Sequence, residues 1–170
     1  MSKRPVILAL DQSSTCTGWV RGHPDGPVTI GSYRNPKCGA DYGRALSHYW
    51  DWLGGELDGV DLLAFEKPVR PNILNLHTAR LLYSIAGIIE MVCRDHSVRV
   101  VEVDNGEHKK LIYGKGGKKP EEFVARRHAK SWGFDATNID ECDASGIFLL
   151  TVQHQYPDAF SAWTQRKVAA

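Results

Sequence analysis

Apolar positions along this chain follow two rhythms. Val6-Ile7-Leu8-Ala9-Leu10 is an unbroken apolar run that stops at Asp11. A polar stretch from Gln12 to Thr15 separates it from a second run, Thr17 to Arg21. His23-Pro24-Asp25-Gly26-Pro27 is a turn by composition, and an alternating run, Val28 to Tyr33, follows it. Short apolar-rich runs bounded by turn formers predict strands, and three in succession predict an antiparallel meander.

The period then lengthens. Ala45, Leu46, Tyr49, Trp52, Leu53 and Glu56 recur at helical spacing and predict an amphipathic helix over Ala45–Leu57. Val60 to Phe65 is again nearly continuous and ends in Glu66, as expected of a strand covered on both faces. Leu74–Arg94 carries the longest helical pattern. Leu76, Ala79, Leu82, Ala86, Ile89 and Cys93 form one face, widened by Leu81, Ile85, Ile88 and Val92. A helix apolar over so much of its circumference is deeply buried or packs on a partner. Val98–Val103 reads as a strand and Glu107–Tyr113 as a short helix stopped by Gly114. Lys115–Lys119 reads as a Gly/Lys loop, and Pro120-Glu121-Glu122 opens another helix. Ile139–Val152 reads as the last helix, with Pro157 closing it. A meander followed by a strand–helix–strand crossover predicts an α/β fold: a mixed five-stranded sheet with helices on both faces.

Length and composition add little constraint. A chain of 170 residues with 24% charged residues fits one globular domain spanning 1–170. The four cysteines, Cys16, Cys38, Cys93 and Cys142, show no Cys-x-x-Cys spacing. Two fall in apolar segments, which predicts reduced thiols, no zinc site and a cytoplasmic setting. The first ten residues make no convincing signal peptide. No run approaches the roughly 20 apolar residues of a membrane span, so no membrane association is expected.

Charge is more informative in its distribution than in its total of +1. Between Glu107 and Lys130 stand eight basic residues and three acidic ones, a local +5 set against −4 elsewhere. Such asymmetry suits a polyanion contact, and equally a solvated helical face.

The acids suggest chemistry. Asp11 and Glu66 both end apolar strands; if the strands are parallel neighbours, both acids sit at the carboxyl edge, where α/β sites form. Asp140 and Asp143 are three apart at the start of a helix and share a face. Asp140 also suits the helix dipole. Glu141 stands three residues after Asn138, a capping box, and is assigned to capping. Clustered carboxylates without arginines repel unless they bind a cation, and oxygen-only donors suit magnesium or manganese. Two such ions clamp a phosphodiester.

An ordered set of segments carries a family resemblance. These are Ile7 to Ser14 with Thr17-Gly18-Trp19, Ala64-Phe65-Glu66, Glu107 to Gly116, and Asp140-Glu141-Cys142-Asp143-Ala144. Together they resemble the RuvC family of Holliday junction endonucleases over roughly residues 5 to 155. The resemblance implies a ribonuclease H-like fold and magnesium-dependent cleavage of branched DNA, four-way junctions above all, with manganese as a substitute ion. It implies a homodimer, catalytic and metal roles for Asp11, Glu66, Asp140 and Asp143, and DNA contact by Lys109, Lys110, Lys115, Lys118 and Lys119. The chain departs from the family pattern at Ser13, where glycine is common. It also departs in Lys67-Pro68-Val69-Arg70-Pro71, which lacks the usual aromatic. These departures point to a broader branched-DNA range. A nuclease of the same fold acting on flaps or RNA–DNA hybrids, and a non-catalytic nucleic-acid-binding module, are the alternatives.

Other motifs are excluded. Leu10 to Thr15 also looks like the phosphate loop of sugar kinases, but 170 residues cannot supply their second lobe. Gly114-Lys115-Gly116-Gly117-Lys118 lacks the register of a P-loop.

Overall fold

The computed structural model describes residues 4–68, 73, 75–114 and 120–169. The Lys115–Lys119 loop and the Val69–Pro71 departure lie outside the described residues. Strands β1 (Ile7–Gln12), β2 (Cys16–Gly22) and β3 (Val28–Arg34) form the meander. Helix α1 (Tyr42–Glu56), strand β4 (Leu62–Glu66), helix α2 (Leu76–Asp95) and strand β5 (Arg99–Val103) complete the sheet. Helices α3 (Asn105–Tyr113), α4 (Glu122–Ser131), α5 (Ile139–Gln155) and α6 (Pro157–Ala169) follow. The strand order is β3-β2-β1-β4-β5. β1 and β2, and β2 and β3, pair antiparallel; β4 is parallel to both β1 and β5. This is the mixed sheet with helices on both faces that the apolar rhythm predicts.

Side-chain alternation splits the core in two. Ile7, Ala9, Leu62 and Ala64 face a core shared with α3 to α6, whereas Leu8, Leu10, Leu63 and Phe65 face one shared with α1 and α2. The continuous apolar runs of β1 and β4 arise because both faces are covered. Helix α5 is buried from Glu141 to Val152 and lies across β1 and β2. Helix α2 is long and apolar enough to cross a membrane by length and composition alone; here it packs on the sheet beside α1.

Local chemistry sets the helix ends. Asp41 accepts from the Arg44 amide, and Asn75 from the Thr78 amide, so α1 starts earlier and α2 later than their apolar patterns suggest. Gly114 ends α3 with φ 76°, a left-handed cap that glycine adopts without strain. Pro157 is the main correction: it begins α6 rather than merely ending α5. Proline fits the first helical turn, where its missing N–H has no role. Trp163 then stacks on Phe134 at 4.9 Å and donates its indole N–H to the Pro24 carbonyl at 2.6 Å.

Candidate active site at the carboxyl edge

Register brings the first two acids together. Leu10 pairs with Phe65 in the parallel β1–β4 ladder, so Asp11 and Glu66 are the next residues on adjacent strands. By alternation from Ala9 and Ala64, both side chains leave the sheet toward α5. Gln12 Nε2 donates to the Glu66 carbonyl at 2.5 Å and ties the two strand ends.

Helix α5 enters over the same edge. Its first turn is built by the capping box: Asn138 Oδ1 accepts from the Glu141 amide at 3.0 Å. The Glu141 carboxylate accepts in return from the Thr137 amide and hydroxyl and from Asn138 Nδ2. Glu141 is therefore fully engaged in capping, and Asp140 and Asp143 are the acids left for the site. The approach of α5 to β2 needs Gly18, where a Cβ would stand 2.2 Å from the backbone carbonyl of Asp140. Gly146 does the same toward α3, since a Cβ there would lie 3.2 Å from the His108 carbonyl.

Each acid has a neighbour of its own. Tyr113 at the end of α3 donates its hydroxyl to Asp143 Oδ1 at 2.5 Å. The Tyr113 phenol is pushed far above its ordinary range by burial and then by the charge of Asp143, with Asp11 adding a smaller effect. Asp140 meets the Cys16 thiol; burial and then that contact raise the thiol to about 11. Glu66 Oε1 lies 3.4 Å from Lys109 Nζ and 3.6 Å from Nε2 of the buried His108. Lys109 also donates to Asn105 Oδ1 at 2.5 Å.

The two strand acids and the two helix acids thus share one edge. Asp11 is 3% exposed and Asp143 fully buried, an arrangement that suits charge compensation by a cation. The donors are oxygens, the chemistry of a hard divalent ion. As placed, no three His, Cys, Asp or Glu side chains among the described residues form a group that would hold a metal. In this arrangement Asp143 accepts from Tyr113, Asp140 meets Cys16 and Glu66 lies beside Lys109.

The lysines divide. Lys109 is 6% exposed and faces the acids, so it is no surface cation. Lys110, one residue on, is exposed. Lys115, Lys118 and Lys119 lie outside the described residues. Helix α4 carries exposed Arg126, Arg127 and Lys130, with Arg127 over the exposed Phe123 ring. Sequence reasoning missed Tyr113, His108 and Gly18 as parts of the site. All three fall within the segments that carry the family resemblance, but spacing alone gives none of them a role.

No protein-family model matches the chain, and no curated protein does. Solved structures do. Thermus thermophilus RuvC superposes with a TM-score of 0.68 at 13% identity, over 89% of this chain and 96% of that one. T. thermophilus RuvC in complex with a Holliday junction substrate gives 0.67 at 14% identity, over 93% and 97%. The fold is that of RuvC. The RuvC-like, ribonuclease H-like architecture accounts for the mixed sheet and for a long helix crossing it at the acid edge. At this identity the likeness is one of fold, and the chemistry must be argued from the residues.

Proposed function

We propose that this chain is a metal-dependent endonuclease acting on branched DNA, with four-way junctions as its first substrate. One observation carries the reading: Asp11 and Glu66 end adjacent parallel strands on the sheet face that the Asp140–Asp143 turn of α5 covers. The RuvC-like fold, with one neighbour determined on a Holliday junction substrate, supports it.

Asp11, Glu66, Asp140 and Asp143 would hold magnesium, or manganese in its place. When bound, such an ion activates water and stabilises the leaving oxygen of a phosphodiester. The chain's own residues prepare the edge. Tyr113 orients Asp143, Gly18 admits the helix that carries Asp140, and Lys109 offsets the charge of Glu66. Lys109 therefore acts at the acids, whereas Lys110, with Lys115, Lys118 and Lys119, would contact the DNA backbone. The outer face of α2 exposes Leu76 and Met91, and this face is the proposed seam of a homodimer. A monomer by light scattering, with and without DNA, would remove that part of the reading.

The test is cleavage of matched junction, flap, RNA–DNA hybrid and linear duplex substrates with magnesium and with manganese. Cutting of the junction, lost with chelator and reduced on the order of 10³-fold in Asp11→Asn, is expected; an amide is a poorer ligand, and about 4 kcal/mol of transition-state stabilisation disappears. Near-normal cleavage by the folded variant would refute the metal site. Preferential cutting of flap or hybrid would move the substrate assignment and leave the chemistry.

A further inference from the structure

Helix α4 carries an exposed aromatic among cations, and the acid edge makes no use of it. Ala125 and Ala129 are fully buried and dock the helix on the core it shares with α5. The other face is open to water. Phe123 is 70% exposed, and Arg126, Arg127 and Lys130 are exposed beside it. Residues four apart share a helix face, so Phe123 stands with Arg127 and Arg126 with Lys130. The Arg127 guanidinium lies 6.0 Å from the Phe123 ring centre, and most of the ring still meets solvent.

These side chains wall a groove of about 290 Å³. Phe134, buried and stacked on Trp163 at 4.9 Å, completes the lining with Asp135 and Ala136. Arg126 is held in place, because its Nε donates to the Ala136 carbonyl at 3.2 Å. That bond uses Nε alone, and the terminal N–H groups can still grip a phosphate in pairs. Asp135 is the one acid of the lining, set against three cations. Glu121 and Glu122 stand outside it at the start of the helix, where the dipole favours them. The groove also borders the acid turn. Thr137 follows Ala136 directly and donates to Glu141, which caps the turn that carries Asp140.

Charge selects a polyanion, and the open ring selects its form. A duplex offers phosphates but hides the faces of its bases, so the ring gains little from it. A single strand offers phosphates and base faces together. We propose that the α4 groove binds single-stranded DNA, with Phe123 stacked on one base and Arg126, Arg127 and Lys130 on the flanking phosphates. Such stacking is indifferent to sequence, because every base has a π-face. The site needs no metal and goes beyond the nuclease reading. If the chain cuts as proposed, the groove holds an unpaired strand beside the acid turn.

The experiment uses the full chain with chelator present, so that no strand is cut. The probes are a fluorescein-labelled single DNA strand of about 12 nucleotides, its duplex and the matching RNA. Phe123→Ala should weaken binding of the single strand on the order of tenfold and of the duplex about twofold or less; Phe123→Tyr should bind like wild type. Lys130→Ala should flatten the single-strand slope of log affinity against log salt by about 0.7, the effect of one phosphate. Irradiation of a strand carrying 5-iodouracil should attach the base to Phe123. Both positions are exposed, so the variants should melt as wild type does. Unchanged affinity in Phe123→Ala, equal losses on single strand and duplex, or a cross-link mapped to other residues overturns the site. Tighter binding of RNA than of DNA overturns the assignment to DNA. A chain that binds the single strand through Phe123 and cuts nothing loses the nuclease reading and keeps this site.

Discussion

The hydroxyl of Tyr113 donates to Oδ1 of Asp143 at 2.5 Å, and both side chains are buried. A charged acceptor sealed from water depends on such a donor. Tyr113→Phe removes only the hydroxyl and should cost about 1–3 kcal/mol in urea unfolding at neutral pH. The pair also predicts a pH dependence. The phenol is raised in the folded state, so its contribution is complete below the ordinary tyrosine value of 10.0 and is lost as pH climbs above it. Melts from pH 8 to 11 should therefore show wild type losing stability more steeply than Tyr113→Phe. Parallel curves would show that the hydroxyl is not held by Asp143.

Gly18 is where the sheet admits the helix that carries the acids. A Cβ there would stand 2.2 Å from the Asp140 carbonyl carbon and oxygen and 2.7 Å from the Glu141 nitrogen, all backbone atoms. No rotamer change relieves such an overlap, so the first turn of α5 must shift. Gly18→Ala should destabilise the fold by roughly 3 kcal/mol and reduce cleavage in the protein that remains folded. A variant that melts and cuts like wild type would mean that α5 sits farther from β2.

The four cysteines are free thiols, and three are shielded. Burial raises Cys93 and Cys142 to about 12, the latter helped by the charges of Asp143 and Glu141, and Cys16 reaches about 11. At pH 8 their thiolate fractions are on the order of 10⁻³ or less, while Cys38 is only half-buried. Alkylation of native protein at pH 8, read by mass spectrometry, should label Cys38 first and the others only after denaturation. Early labelling of Cys16 would show that the Asp140 turn opens readily.

How much of this was legible in the sequence follows the range of each interaction. The unbroken apolar runs before Asp11 and Glu66 mark strands buried on both faces. Their identical ending in an acid is a local pattern, so the shared edge can be read in advance. The Asn138–Glu141 capping box is equally local, and the observed bonds match it. Lys109 is different. A lysine in a basic segment reads as surface, and its burial depends on Glu66, 43 residues away. Tyr113 and Asp143 are separated by 30 residues, and no spacing rule joins them. Pro157 was ambiguous in itself, since proline both stops one helix and suits the start of the next. What decides is the distant docking of Trp163 on Phe134.

The last prediction concerns the basic segment, whose +5 stands against −4 elsewhere. Lys109 is spent on Glu66 and Asn105. On the proposed function, the cations left for DNA backbone contact are Lys110, those of α4, and Lys115, Lys118 and Lys119. Gly114, the left-handed cap of α3, is the last described residue before that segment and directly follows Tyr113, which holds Asp143. Each phosphate neutralised on duplex DNA adds about −0.9 to the slope of log affinity against log salt. Replacing Lys115, Lys118 and Lys119 together with Ala should weaken binding to junction, flap and duplex alike and flatten that slope by roughly 2 to 3. An unchanged thermal melt in the triple variant would show that the loss is one of binding. An unchanged slope in the triple variant would assign the DNA path to other cations. Arg126, Arg127 and Lys130 on the exposed face of α4 are then the next to replace.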